Sequence, residues 1–231
     1  MDVIIIGGGI GGLTLALMLR RDGIGARVFE AAPEIRELGV GINLLPHATR
    51  LLSGLGLREA LAAVAVETKE NCFFNRHGQL IWKEPCGLAA GYDWPQFSIH
   101  RADLHAVLLD AARRELGDDR VIVGHQCTGV DQDDDGVTAR FQDPATGTAL
   151  EPVRGTIAVG CDGFHSAIRK QLHPDEGPPH YGGINVWRGV TRWPPYLTGA
   201  SMARAGSLKL GKIVIYPIRD DVDGRGNQLI N

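Results

Sequence analysis

Apolar and polar positions along this chain switch between two periods, and the switches mark its elements. Residues 3–6 are four consecutive aliphatics, the mark of a short strand covered on both faces in a parallel sheet. Leu13, Leu15, Ala16, Leu17 and Leu19 then predict a helix reaching Arg20, and residues 26–30 (ARVFE) predict a second strand ending in an acid. Residues 31–41 are loop-like. Residues 46–52, opened by Pro46, and 57–64 read as short amphipathic helices. Residues 69–82 alternate as two strands around Asn75-Arg76-His77-Gly78, a hairpin signal. Residues 99–101 close a strand, and 103–116 predict a helix with Leu104, Val107, Leu108, Ala111 and Ala112 on its apolar side. Short strands follow at 121–123, 127–132 and 137–141, the last two joined by a polar turn at 133–136. Residues 156–159 predict another buried strand that runs into Gly160-Cys161-Asp162-Gly163, and 166–172 a helix. Beyond a Pro- and Gly-rich linker at 175–183, residues 184–191 and 209–218 read as strands, and 228–231 as the start of one. The expected fold is α/β: a parallel core interleaved with antiparallel β material.

The first switch carries chemistry. Between strand and helix stands Gly7-x-Gly9-x-x-Gly12. In a β-α-β unit each glycine has its own reason: a tight turn at Gly7, backbone approach to a pyrophosphate at Gly9, close helix–strand packing at Gly12. The helix N-terminus offers unpaired N–H groups and a positive dipole end to phosphates. Glu30 lies 18 residues beyond Gly12, near the offset of about 20 at which an acid reaches a ribose diol. That acid argues against a phosphorylated ribose, but the fingerprint does not choose between FAD and NAD.

Composition narrows the partners. The 24 Lys and Arg against 27 Asp and Glu give a formal charge of −3, with no basic run, so neither nucleic acid nor an anionic membrane surface is expected. No apolar run reaches the roughly 18 residues of a membrane span, and no leader is read at the N-terminus. The four cysteines, Cys72, Cys86, Cys127 and Cys161, are scattered, which points away from disulfides and zinc and toward a cytoplasmic setting. The histidines share no metal-like spacing, so no metal is expected. The interrupted acid run 131–135 lacks a calcium-loop pattern, and no G-x-S-x-G elbow is present.

Three further segments, "RELGVGINLLPHA" (36–48), "HRADLHAVLL" (100–109) and "GCDGFHSAIRKQL" (160–172), complete a resemblance. With the opening fingerprint they resemble, in the right order, the single-component flavin-dependent aromatic hydroxylases, and "YGGINVWRGVTRWPP" (181–195) is similar to their phenazine-modifying branch. The resemblance implies a Rossmann-like FAD-binding domain over 1–70 and 97–175 and an incomplete mixed β-sheet substrate domain over 71–96 and 176–231. It implies FAD as cofactor, NAD(P)H as transient reductant, and dioxygen and a small aromatic, phenazine-like molecule as substrates. Gly7, Gly9 and Gly12 would face the pyrophosphate, Glu30 with Ala31 the adenosine ribose, and Cys127 the adenine. Arg101 would reach the cofactor from a helix start, and Asp162 and Gly163 would lie by the pyrophosphate and ribityl chain. Arg36, Gly41, Ile42 and Asn43 would lie beside the flavin ring. Trp187 and Arg188 are the candidates for substrate contact; no catalytic residue is assigned.

Departures from the pattern matter too. A second cofactor segment of Gly-Asp-Ala-Ala-His type is not found, and Gly117-Asp118 precedes the Asp-Gly segment instead of following it. The chain therefore reads as an N-terminal portion, either truncated or paired with a separate remainder, and a second copy of itself is the other partner expected. Where some members carry a histidine base on the flavin loop, this chain has Asn43, with His47 four residues on. Plainer readings stay open: Arg101 as an ion-pair partner of Asp103, Asp162 as a turn former, Arg36 as a solvated cation, Trp187 as core, Ser166 as a helix cap. Two other functions stay open as well: a flavoprotein reductase or dehydrogenase on the same fold, and a non-catalytic fragment that binds FAD or only its ADP half.

Overall fold

The computed structural model describes residues 1–33 and 39–231. The chain forms two compact units, Met1–Arg36 with Leu108–Ile184 and Glu37–Val107 with Asn185–Asn231.

The first unit is built on a parallel sheet in the order Ile157–Gly160, Asp2–Ile6, Gly25–Phe29, Val121–Ile122. The aliphatic run forms its centre: Ile4 and Ile5 are wholly buried, each contributing about 1.5–3 kcal/mol by leaving water. Helix Ile10–Arg21 packs Gly12, Leu13, Ala16 and Leu17 inward. It ends where Gly23 takes a left-handed φ and bonds back to Arg20, with Arg20 and Arg21 beside the exposed carbonyls. An antiparallel sheet, Val153–Gly155, Gly136–Gln142, Gln126–Asp133, joins the same core. Phe29, Val137, Ala139 and Phe141 close over Ile4 and Ile6.

The second unit holds three sheets. Gly41–Leu44, Phe97–His100 and Ala65–Glu67 form one, antiparallel throughout. Gly211–Ile215, Ser201–Ser207, Glu70–Phe74 and Leu80–Pro85 form a mixed one, whose middle pair is parallel. Thr191–Trp193, Gln228–Ile230 and Pro217–Arg219 form the third. A buried carboxylate clasps the parallel pair: Glu70 accepts from Ser201 Oγ at 2.6 Å and pairs with Lys83. Burial alone would raise the Glu70 carboxyl, but hydrogen bonds from Lys83 and Ser201 outweigh it and hold it below its ordinary value.

Most predicted elements stand within a residue or two. Two stretches differ, 184–191 and 209–218. The alternation of the first predicts a strand, yet 184–190 is irregular and only Thr191–Trp193 pairs. Val186 and Trp187 stand exposed, Trp187 at 86%, so this segment lacks the packed surface that turns alternation into a strand. The predicted strand 209–218 is two, Gly211–Ile215 and Pro217–Arg219, broken at Tyr216.

Candidate functional site

In the first unit the glycine loop leaves strand Asp2–Ile6 at its carboxyl end, where the neighbouring parallel strands also end. This is the position at which open α/β sheets bind ligands. Gly7 has φ +109°, and a Cβ there would lie 2.4 Å from the Cys161 carbonyl oxygen. A Cβ on Gly12 would lie 2.0 Å from the Gly7 oxygen. Both glycines are therefore demanded by the protein's own backbone. Gly9 differs: among the described residues a Cβ there meets nothing within 4 Å. It faces open space and N-caps helix Ile10–Arg21 without a side chain to bond the first-turn N–H groups.

A cavity of about 300 Å³ opens over this loop, lined by Gly7, Gly9, Glu30, Ala31, Cys127, Asp162 and Gly163 among others. Glu30 holds its rim together. One carboxylate oxygen accepts from Gly8 N–H at 2.7 Å and the other from Ala32 N–H at 2.8 Å. Each oxygen keeps a lone pair for a further donor. Asp162 is turned into the protein: it accepts from Ser166 Oγ at 2.6 Å and Ala167 N–H at 2.7 Å. It thus caps helix Ala167–Leu172 together with Ser166, which accepts from Arg169 N–H at 2.9 Å. Cys127 contributes a buried wall, and burial pushes its thiol up. His125, Phe29, Cys161 and His165 also line the cavity without having been singled out in the sequence. The signal for His125 lay in its place two residues before Cys127, at the exit of the fourth parallel strand; its ring packs 5.7 Å from Phe29 and from Phe141.

The second unit has its own cavity, of about 880 Å³. Gly41, Ile42 and Asn43 line it, with Trp187, Arg188 and Tyr216. Gly41 is fixed internally: its N–H donates to Asn231 Oδ1 at 2.6 Å, and a Cβ would lie 2.7 Å from Tyr216. Burial raises the Tyr216 phenol, against the pull of the Arg188 cation and Asn43. Among the described residues, Arg188, Arg204 and Lys212 are the charged side chains lining this cavity, and no Asp or Glu does. Tyr216, Arg204 and Lys212 escape sequence reading because they lie far along the chain from the glycine motifs, on segments that carry no motif of their own.

The predicted residues thus fall into groups. Gly7, Gly9, Glu30, Ala31, Cys127, Asp162 and Gly163 come together at the first cavity, with Gly12 packed beneath. Gly41, Ile42, Asn43, Trp187 and Arg188 come together at the second. Arg101 opens helix Arg101–Leu116, its N–H donating to Val40 O at 2.9 Å, while Asp103 pairs with Arg219 at 2.7 Å. Arg36 lies outside the described residues. Among the described residues no cluster of three metal-ligating side chains occurs, and no helix is long and apolar enough to cross a membrane.

Comparison with known proteins agrees with this geometry. The FAD binding domain family matches residues 1–191. The phenazine 1,6-dicarboxylic acid hydroxylase of Lysobacter antibioticus is 41% identical over 231 residues, all of this chain and 57% of that protein. The 3-amino-4-hydroxybenzoate 2-monooxygenase of Streptomyces cremeus is 36% identical over 195 residues, 81% of this chain and 45% of its own length. Among solved structures, 2,6-dihydroxypyridine-3-hydroxylase from Arthrobacter nicotinovorans superposes with a TM-score of 0.76 at 25% identity, over 99% of this chain and 55% of that one. HpxO of Klebsiella pneumoniae, complexed with FAD and uric acid, shares the fold with a TM-score of 0.74 at 23% identity, over 100% of this chain and 55% of its own. The chain spans about half the length of the curated relatives it matches.

Proposed function

The chain belongs to the FAD binding domain family, and from that premise we propose that it is the FAD-binding part of an NAD(P)H- and dioxygen-dependent aromatic hydroxylase. The observation that carries the reading is the open face of Gly9 above an uncapped helix N-terminus, inside a loop whose other two glycines are fixed by backbone contact. Space without side chains, N–H donors and a positive dipole end suit a pyrophosphate.

The roles follow from position. Gly7 and Gly9 admit the diphosphate, and Gly12 holds the helix close enough for its first turn to be presented. Glu30 offers its remaining lone pairs to the adenosine ribose, Ala31 borders it, and Cys127 forms the adenine wall. Asp162 keeps the loop before helix Ala167–Leu172 in place, so that Gly163 borders the cofactor. Gly41, Ile42 and Asn43 are assigned to the flavin end, as is Arg36, and Arg101 to the diphosphate, as a fixed cation. When bound, FAD supplies electron transfer from NAD(P)H and activation of dioxygen. The protein binds and orients the ring to be hydroxylated and keeps water away.

For substrate we propose an aromatic carboxylate, in keeping with the dicarboxylic acid and hydroxybenzoate in the relatives' names. Among the described residues three cations and no Asp or Glu line the second cavity, where Trp187 can stack and Arg188 can pair an anion. A second reading rests on the chain's length relative to its relatives: a chain that binds the ADP half alone and does not turn over.

Titration with FAD and with adenosine diphosphate, read by flavin fluorescence and calorimetry, tests both. Stoichiometric FAD binding supports the hydroxylase reading. Binding of adenosine diphosphate alone supports the second. Binding of neither overturns both.

A further inference from the structure

The second cavity presents an asparagine whose orientation is set from behind. Asn43 stands opposite Ser98 across the antiparallel pair Gly41–Leu44 and Phe97–His100. Ser98 Oγ donates to Asn43 Oδ1 at 2.7 Å. Ser98 is wholly buried, and its hydroxyl lies 2.6 Å from that of Thr68, itself buried. A hydroxyl has one proton to donate. Ser98 spends its proton on Asn43, so Thr68 donates to Ser98, and the protons run one way, Thr68 to Ser98 to Asn43. With Oδ1 satisfied, Asn43 is left to donate through its amide nitrogen, one N–H toward the Tyr216 phenol in the same wall and the other left for the cavity. That polarity matches the rest of the wall, where Arg188, Arg204 and Lys212 also donate.

We propose that Ser98 and Thr68 are positioning residues that lock the Asn43 amide with an N–H toward the cavity. The second cavity thereby selects a ligand with an anionic oxygen at that point. This inference rests on the reading of that cavity as the aromatic-ligand site. Neither hydroxyl touches the ligand; both act through Asn43. An amide free to flip would present an acceptor half of the time and lose the discrimination.

The test uses the whole chain, loaded with FAD, and two probes: phenazine 1,6-dicarboxylate and its uncharged diamide, each titrated by calorimetry. Ser98→Ala should weaken the dicarboxylate about tenfold, the scale of one charge-assisted hydrogen bond, and leave the diamide nearly unchanged. Ser98→Thr, which keeps the hydroxyl, should restore the ratio. Asn43→Asp provides the check if Ser98→Ala fails to fold. Ser98 still bonds one carboxylate oxygen, the other faces the cavity, and the preference for the dicarboxylate should be lost or reversed. Equal weakening of both probes in Ser98→Ala, or an unaltered preference in Asn43→Asp, overturns the positioning role alone. A wild-type chain that binds FAD but neither probe overturns the ligand reading of the cavity, and this inference with it.

Discussion

The two cavities are made of different material. The first is built around backbone, a glycine loop, a bare helix start and the ends of parallel strands, with side chains such as Glu30, His125 and Cys127 on its walls. The second is made of side chains from segments far apart in sequence, among them Asn43, Arg188, Arg204, Lys212 and Tyr216. A backbone-built site recognises what many ligands share, such as a diphosphate. A site built of side chains recognises what distinguishes one ligand from another, and it can change without disturbing the glycine loop.

That contrast can be broken by substitution. The largest effect is expected at Gly12→Val. Its Cβ would sit 2.0 Å from the Gly7 oxygen, and overpacking of that order costs about 3 kcal/mol or more; urea unfolding should show it, and near-wild-type stability would contradict the packing role. Gly9→Val should do the reverse. Stability should hold, because among the described residues a Cβ there meets nothing within 4 Å, while calorimetry should detect no binding of FAD or adenosine diphosphate. Retained affinity would remove the pyrophosphate from Gly9. Glu30→Ala leaves the Gly8 and Ala32 N–H groups without their partner and should lower stability by about 1–3 kcal/mol as well as weaken adenosine diphosphate. If only binding changes, the carboxylate is a ligand group and not a rim brace. Arg188→Ala should weaken an aromatic carboxylate by about 1 kcal/mol, as fits an exposed cation, and leave adenosine diphosphate untouched. A loss in both titrations would mean that the cavities are not independent.

The smallest expected effect is a pH dependence confined to the second unit. Glu70 is held below its ordinary value in the fold. Its contribution is therefore present above the unfolded value of about 4.3 and is lost as pH falls below it. Unfolding midpoints between pH about 7 and about 3 should fall more for wild type than for Glu70→Gln. Parallel curves would mean the clasp is not coupled to protonation.

What the sequence made legible follows the same division. The β-α-β start could be read because an aliphatic run, three spaced glycines and a terminal acid are each local, and the first cavity grew from them. Asp162 could be placed beside that cavity, but not its orientation, since the bonds to Ser166 and Ala167 depend on how the following helix folds back. Strand Ser201–Ser207 carries two alanines, a glycine and no β-branched residue. Its pairing is fixed instead by neighbours such as Cys72 and Ile215. The apolar alternation of 184–190 misled for the opposite reason: the pattern is present and the packed surface is not. Tyr216 became a cavity residue only through the break between two strands that the alternation had merged.

The clasp between Glu70 and Ser201 joins residues 131 positions apart, and this bears on the order of events as the chain is made. Closing so long a loop must precede the reward of the parallel pairing, which slows that step. The first unit needs nothing beyond strand Ile157–Gly160 to complete its parallel sheet, so it can form on the ribosome while strand Glu70–Phe74 still waits for Ser201–Ser207 to emerge. During that interval the earlier strand has only its hairpin partner Leu80–Pro85, and its other edge stays open to wrong pairing. The glycine loop is thus in place before the wall of the second cavity exists.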